Sequence, residues 1–219
     1  MIRKDYIMRM IEQLARALGK IMGFKNAGHY KEALEEIKKS GELFVGLDAQ
    51  VIETSSDTGL IALLRRGHSG VDLVKCLALA ELLKEQGEIY ELQHEPDKSY
   101  GSYVKSLSLF LEATAVDKKS ELADYAPKVD FIVGKLAQYE LPERVMRKLF
   151  GYYETTGRYA DAEDVLHELI ETNESEAAGE GVAFYERLLT RPDDELTRGN
   201  LPRDEVAEAL QALRERLSV

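Results

Sequence analysis

The sequence predicts an all-α fold of stacked helical hairpins, with nine or ten helices and no strand. Three observations lead there. Apolar residues recur at helical spacing through nearly the whole chain, and the strict apolar–polar alternation of a strand is almost absent. Of the 219 residues, 44% are hydrophobic and 32% charged, enough apolar material for one sizeable core or two small ones. A glycine followed two residues on by tyrosine, and five on by a small residue, recurs between helical stretches. The same composition excludes a disordered tail, a collagen and a disulfide-stapled miniature.

The first helix is expected from about Ile2 to Phe24. Ile7, Met10, Ile11, Leu14, Leu18, Ile21 and Met22 fall on one side of it, and Asp5, Arg9, Glu12, Arg16 and Lys20 gather on the other. A second helix follows from about Gly28, burying Tyr30, Ala33, Leu34 and Ile37. The stretch from Asp48 to Ser56 reads as a loop or one short turn. Asp57 is expected to cap a short helix through Leu60, Leu63 and Leu64 that stops at Gly67. Ser69 then precedes a long pattern from Val71 to about Leu92, almost wholly apolar between Leu77 and Leu83, which suits a central helix covered on several sides.

Pro96 and Asp97 mark the next turn, followed by a helix carrying Tyr103, Leu107, Phe110 and Leu111. Ser120 is expected to cap a further helix kinked by Pro127, which lacks a backbone donor. Pro142 suits a first helical position, ahead of a stripe of Val145, Leu149, Tyr152 and Tyr153 that ends at Gly157. Its partner carries Tyr159, Ala162, Leu166 and Leu169, with Asp161, Glu163 and Asp164 where the helix dipole favours anions. One helix through Val182, Tyr185 and Leu189, a polar turn around Pro192 and a last helix opening at Pro202 complete the chain.

The recurring pattern carries a physical logic. Gly28-His29-Tyr30-Lys31-Glu32-Ala33 and Gly157-Arg158-Tyr159-Ala160-Asp161-Ala162 both read G-x-Y-x-x-A, and Gly101, Tyr103 and Ser106 give a looser copy. The glycine permits a tight turn, the tyrosine wedges between paired helices, and the small residue lets their backbones approach. This resembles the tetratricopeptide repeat, in which such a pattern joins the two helices of each pair. The best copy spans about Pro142 to Thr172. The three glycines lie 73 and 56 residues apart rather than at a fixed spacing, and Phe150 stands where a small residue is expected, so the array is an irregular α-solenoid. Across nearly its full length the chain is similar to a bacterial family of such helical proteins of unknown function. The residues that carry this likeness are Asp5 to Gln13 in the first helix and Leu201 to Val206 in the last. The resemblance implies a fold and no activity.

One tetratricopeptide-like domain is therefore expected over residues 1–219. Within it, 1–25 form an N-terminal cover or dimer helix, 28–172 the hairpins, and 175–219 a capping helix pair.

Charge and motifs narrow the function. Forty acidic against twenty-nine basic residues give −11, yet residues 1–25 alone are net +4, and Glu171 to Glu208 carry a local −7. Phosphates would meet the acidic body with repulsion, so no nucleic acid is expected as a partner. No run of eighteen apolar residues exists and the start lacks a secretory signal, so no membrane is expected either. A single cysteine fits a reducing cytoplasm.

The histidines, His29, His68, His94 and His167, are scattered, and H-E-x-x-H, C-x-x-C, G-x-S-x-G and phosphate-loop patterns are all absent. His167 and Glu171 could supply two positions of a metal, but no third ligand accompanies them. Cys76, among Val74, Leu77 and Leu79, reads as a buried, inert thiol. The expectation is a protein without catalytic residues, cofactor or metal.

A partner is suggested most by the first helix. Its apolar arc covers more than half the circumference, and ten such side chains left in water would forfeit on the order of 15–30 kcal/mol. That exceeds typical net domain stability, so the arc must be covered, by the rest of the fold or in part by a second chain. Tyr6, Met8, Met10, Ile11 and Met22 are the candidate partner or dimer surface. Gly28, Tyr30, Ala33, Gly101, Tyr103, Gly157, Tyr159 and Ala162 are the hairpin-packing residues. The expected function is a non-enzymatic interaction module or adaptor that binds a polypeptide on a helical-repeat surface. A homodimer assembled through the first helix, and a small-ligand binder or enzyme, stand as alternatives.

Overall fold

The computed structural model describes residues 2–65, 71–116 and 125–217, with residues 2–7 and 174–175 described by backbone alone. Among the described residues there are twelve α-helices, one π-helical turn and no strand; Arg65 and Val71 form an isolated antiparallel bridge. The chain divides into two compact units, Met1–Glu140 and Leu141–Val219, a division that falls inside the stretch 28–172.

The first unit holds α1 (Ile2–Asn26), α2 (Tyr30–Ser40), a π-helical turn (Gly41–Val45), α3 (Ala49–Thr54), α4 (Asp57–Leu64), α5 (Leu73–Leu92), α6 (Pro96–Val116) and α7 (Ala126–Leu136). α5 and α6 form its central hairpin. Small residues bring them close: the Tyr103 ring lies where a side chain on Gly87 would stand, at 2.7 Å. Ser99 Oγ donates to the Gly87 carbonyl at 2.9 Å, Ser106 Oγ to that of Ala80 at 2.7 Å, and the Cys76 thiol to that of Leu109 at 3.3 Å. The two serine bonds satisfy hydroxyls that would otherwise be buried at a cost. α1 and α2 pack on α5 through Ile21, Ala33, Ile37, Leu82 and Ile89, surrounded by Leu14, Leu18, Phe24, Tyr30 and Leu34.

The second unit holds α8 (Glu143–Thr156), α9 (Tyr159–Thr172), α10 (Glu174–Leu189), α11 (Asp193–Arg198) and α12 (Arg203–Leu217), with α8 on α9, α9 on α10 and α10 on α12. Phe150 is buried and meets the Phe184 ring edge-on at 5.1 Å. Tyr159 and Tyr185 are almost wholly buried, and their hydroxyls donate to Glu195 and Glu163. The Gly199 carbonyl accepts from the Ala160 amide at 3.0 Å, and its backbone must be bare: a Cβ there would stand 2.7 Å from the Gly157 carbonyl oxygen and against the Tyr159 ring.

Four helices end in one motif. At Gly28, the next residue's amide (His29) donates to the Phe24 carbonyl at 2.9 Å while the Gly28 amide donates to Lys25 at 3.1 Å. The same six-to-one and five-to-two pair closes α5 at His94, α8 at Gly157 and α11 at Asn200. The residue in the left-handed position has φ +75 at Gly28, +59 at His94, +75 at Gly157 and +58 at Asn200. This corrects the expected turn at Gly101, which lies in the interior of α6; the hairpin turns seven residues earlier, at His94.

Other local expectations change too. The stretch from Asp48 is the short helix α3, with the Asp48 carboxylate accepting from the Gln50 amide at 2.8 Å. Ser56, not Asp57, caps α4. The long helix starts at Leu73 behind Asp72 rather than at Val71. Pro127 sits in the first turn of α7, where its missing amide has no partner to lose, and so makes no kink. Pro142 and Pro202 lie just before α8 and α12 rather than inside them, their carbonyls accepting first-turn amides. The polar turn after Pro192 is α11, with Leu196 buried beneath it. α3 and α11 raise the helix count above the nine or ten expected. Gly67, Ser69 and Ser120 lie outside the described residues.

Candidate interaction surface on the first helix

α1 is pinned along one side. Ile21 is fully buried, Met10 is 7% exposed, and Leu14, Leu18 and Phe24 pack around the same core. At its C-terminal end Lys25 reaches α5, donating to Glu85 at 2.6 Å and Glu88 at 2.7 Å. Lys84 donates to the same two carboxylates at 2.6 Å and 3.1 Å, closing a ring of two cations and two anions. The side chains of Lys25 and Glu85 are only 10% and 5% exposed.

Burial pulls the Lys25 and Lys84 ammoniums down, but the hydrogen bonds they donate to Glu85 and Glu88, with the charges of those carboxylates, more than offset it, so both pKa values are raised. Burial pushes Glu88 up, and the Lys25 hydrogen bond with the Lys84 charge more than offsets that, holding it below the usual carboxylate value. Lys25, Lys84 and Glu88 are therefore charged near neutrality, and the ring ties α1 to the central hairpin.

Between Met8 and Met22 the other side of α1 is apolar and bare. With about 100° of rotation per residue, Ile11, Met22, Ala15, Met8 and Gly19 fall within one sector of about 80°. Met8 is 51% exposed, Ile11 38% and Met22 46%. Ala15 and Gly19 are exposed, and nothing stands within 4 Å of the position a Cβ would take on Gly19 or Gly23. Glu12, Arg16 and Arg9 border this sector on one edge; among the described residues none of the three forms an ion pair, and Arg16 Nε donates to the Glu12 carbonyl at 3.3 Å.

Of the five residues expected on a partner surface, three (Met8, Ile11 and Met22) thus share an open face. Met10 is corrected to the interior, because it lies a quarter-turn from Ile11 on the side facing α2 and α5. The Tyr6 side chain lies outside the described residues. Ala15, Gly19 and the Lys25–Glu85–Lys84–Glu88 ring were not legible as part of the site.

The hairpin-packing residues take positions consistent with their sizes. Ala33 and Ala162 are fully buried, Tyr103 and Tyr159 nearly so, and Tyr30 is half-buried at the edge of the α1–α2 core. The Tyr103 hydroxyl donates to Glu91 at 3.0 Å; burial and then that bond raise its pKa strongly. The Tyr159 hydroxyl is pushed up to about 12 by burial and by its bond to Glu195.

A polar cleft of about 800 Å³ lies in the second unit, lined by Glu154, Arg158, Tyr159, Arg191, Glu195 and Arg198. Its cations are compensated. Arg158 pairs with Asp161 at 2.7 Å, Arg191 with Glu195 at 3.5 Å and Arg198 with Asp194 at 3.2 Å, while Glu154 is taken by Arg187 at 2.7 Å. No uncompensated charge is left there to draw an anion.

His29, His94 and His167 are exposed, His68 lies outside the described residues, and Cys76 is fully buried. Among the described residues no group of three or more His, Cys, Asp or Glu side chains could hold a metal. No helix among them is long and apolar enough to cross a membrane.

The profile of a family of unknown function (DUF6483) matches residues 1–218, and the chain belongs to that family. No curated protein and no solved structure matches it.

Proposed function

We propose that this member of the DUF6483 family is a non-enzymatic interaction module that binds a polypeptide partner, with the outer face of α1 as its docking surface. The observation that carries this reading is the exposed row of Met8, Ile11 and Met22 on a helix whose opposite side is fixed by Ile21 and the Lys25 ring. Leaving three large apolar side chains about half in water forfeits on the order of 3 kcal/mol. A partner that covers them recovers that energy. Methionine suits such a surface, because its unbranched, polarizable side chain adapts to irregular contacts.

The hairpins support the same reading. Turns closed by a left-handed residue at Gly28, His94 and Gly157, followed five residues on by buried Ala33, Ser99 and Ala162, agree with a tetratricopeptide-like arrangement. Proteins of that architecture commonly hold peptides, which is an argument from fold alone. A cytoplasmic setting fits the single, buried cysteine.

The test is a photo-crosslinking amino acid placed at Met22 in the full chain, in native cells, with Gln13 on the opposite side of α1 as the control position. The reading expects one recurrent polypeptide adduct from Met22 and none from Gln13. Adducts of equal yield at both positions, or none at either, contradict it.

A further inference from the structure

We infer that the polypeptide seated on this face is a second copy of the chain, its α1 lying antiparallel across the first about a two-fold axis at Ala15. The inference rests on the reading of α1 as the docking surface and names the partner.

Two-fold pairing demands a patch that is complementary to itself, with each contact made twice. The outer sector of α1 meets that demand in one orientation. Reversing the helix about Ala15 places Met8 opposite Met22 of the second copy and Ile11 opposite its Gly19. Each branched side chain then meets a position with no side chain and open space above it, since nothing stands within 4 Å of where a Gly19 Cβ would be. Ala15 meets itself. Large residues lie at both ends of the seam and small ones near its centre, which allows the axes to approach to the near end of the usual 8–10 Å range.

Charge selects the same orientation. When two helices pack antiparallel, like edges meet; when parallel, opposite edges meet. The outer edge of the sector carries Glu12 and, one turn on, Arg16, neither of them ion-paired among the described residues. In the antiparallel arrangement Glu12 of each copy lies beside Arg16 of the other, giving two reciprocal pairs. In the parallel arrangement residues of equal height meet and that edge faces Leu14 and Leu18, which are committed to the core, so the charges find no partner.

The first experiment is sedimentation equilibrium of the full chain across a concentration series, where twice the 24.7 kDa chain mass is expected. The second is disulfide trapping. Over the 8–10 Å range of helix spacing, with Cα atoms about 2.3 Å from each axis, the two Ala15 Cα atoms stand roughly 3.5–5.5 Å apart, which overlaps disulfide reach. Ala15→Cys should therefore cross-link under mild oxidant at least ten times faster than Gln13→Cys, and buried Cys76 adds no background. The third is a charge swap. Glu12→Arg and Arg16→Glu should each weaken association about tenfold or more, and the double swap should restore it to within about threefold.

A monomer at every concentration, with equal and slow trapping at the two positions, overturns the inference. In that event a Met22 photo-adduct to a different polypeptide leaves the docking reading standing, and the absence of any Met22-specific adduct removes both.

Discussion

Replacing Lys25 by methionine tests whether α1 is held by charge as well as by apolar packing. Methionine keeps a stem of similar length and removes the ammonium. Glu85, 4% exposed, and Glu88 then share Lys84 alone, so one carboxylate loses its compensation in a site already stripped of most water. Breaking a buried ion pair by removing one partner costs about 3–5 kcal/mol. Lys84 still serves one carboxylate, and Glu88, with a side chain 22% exposed, can turn toward water, so the lower end, about 3 kcal/mol, applies. With a urea dependence of about 2 kcal/mol per molar, the unfolding midpoint of the first unit should fall by roughly 1.5 M.

The pH dependence gives an independent reading of the same ring. Glu88 lies below its ordinary 4.5, so its stabilisation is present above that value and is lost as acid carries the pH down through its folded pKa. Lys25 lies above its ordinary 10.5, so its stabilisation is present below that value and is lost as the pH rises through its folded pKa. The gap between wild type and Lys25→Met should thus be widest across the plateau between those values and narrow on both sides. A loss under about 1 kcal/mol, or a gap indifferent to pH, would refute the ring as the clamp on α1.

Other substitutions probe the turns and the close contacts. His94→Gly relieves a left-handed residue of its Cβ and should stabilise by about 0.5–1 kcal/mol, read as a melting rise of roughly 1–4 °C. Gly157→Ala imposes that penalty and should cost about 1–2 kcal/mol in the same assay. Gly199→Ala should cost about 2–3 kcal/mol, because the new methyl meets the Gly157 carbonyl and the Tyr159 ring; a neutral melting curve would contradict the packing of α11 on the α8–α9 turn.

What the sequence disclosed depended on whether a residue type marks its own conformation. Gly28 and Gly157 announced their turns because glycine is the default at positive φ. The same turn at His94 and Asn200 carries no such mark, so the pattern points instead to Gly101 for the α5–α6 turn, a glycine with the right followers but inside a helix. Pro142 and Pro202 mark helix starts in the sequence but stand one residue before the helices rather than inside them, and Pro127, expected as a kink, falls in a first turn. The periodicity of α1 showed a wide apolar arc. It could not show that the arc is split, with Met10 turned into the core and Met8, Ile11 and Met22 left out, because that division depends on where α2 and α5 lie. The Lys25 ring joins residues 60 and 63 positions apart, a convergence created only by folding.

Methionine oxidation reports most directly on whether the outer face of α1 is covered when the protein is at work. Met8 and Met22 are exposed in the isolated chain, and Met10 and Met146, at 7% and 5% exposure, serve as protected references in the same molecule. Brief peroxide treatment followed by mass spectrometry should find Met8 and Met22 oxidised quickly in dilute protein and in an Ile11→Glu variant. In native cells they should be slowed several-fold, toward the rates of Met10 and Met146. Rates for Met8 and Met22 that stay fast and equal in cells, in concentrated protein and at high dilution would contradict the account.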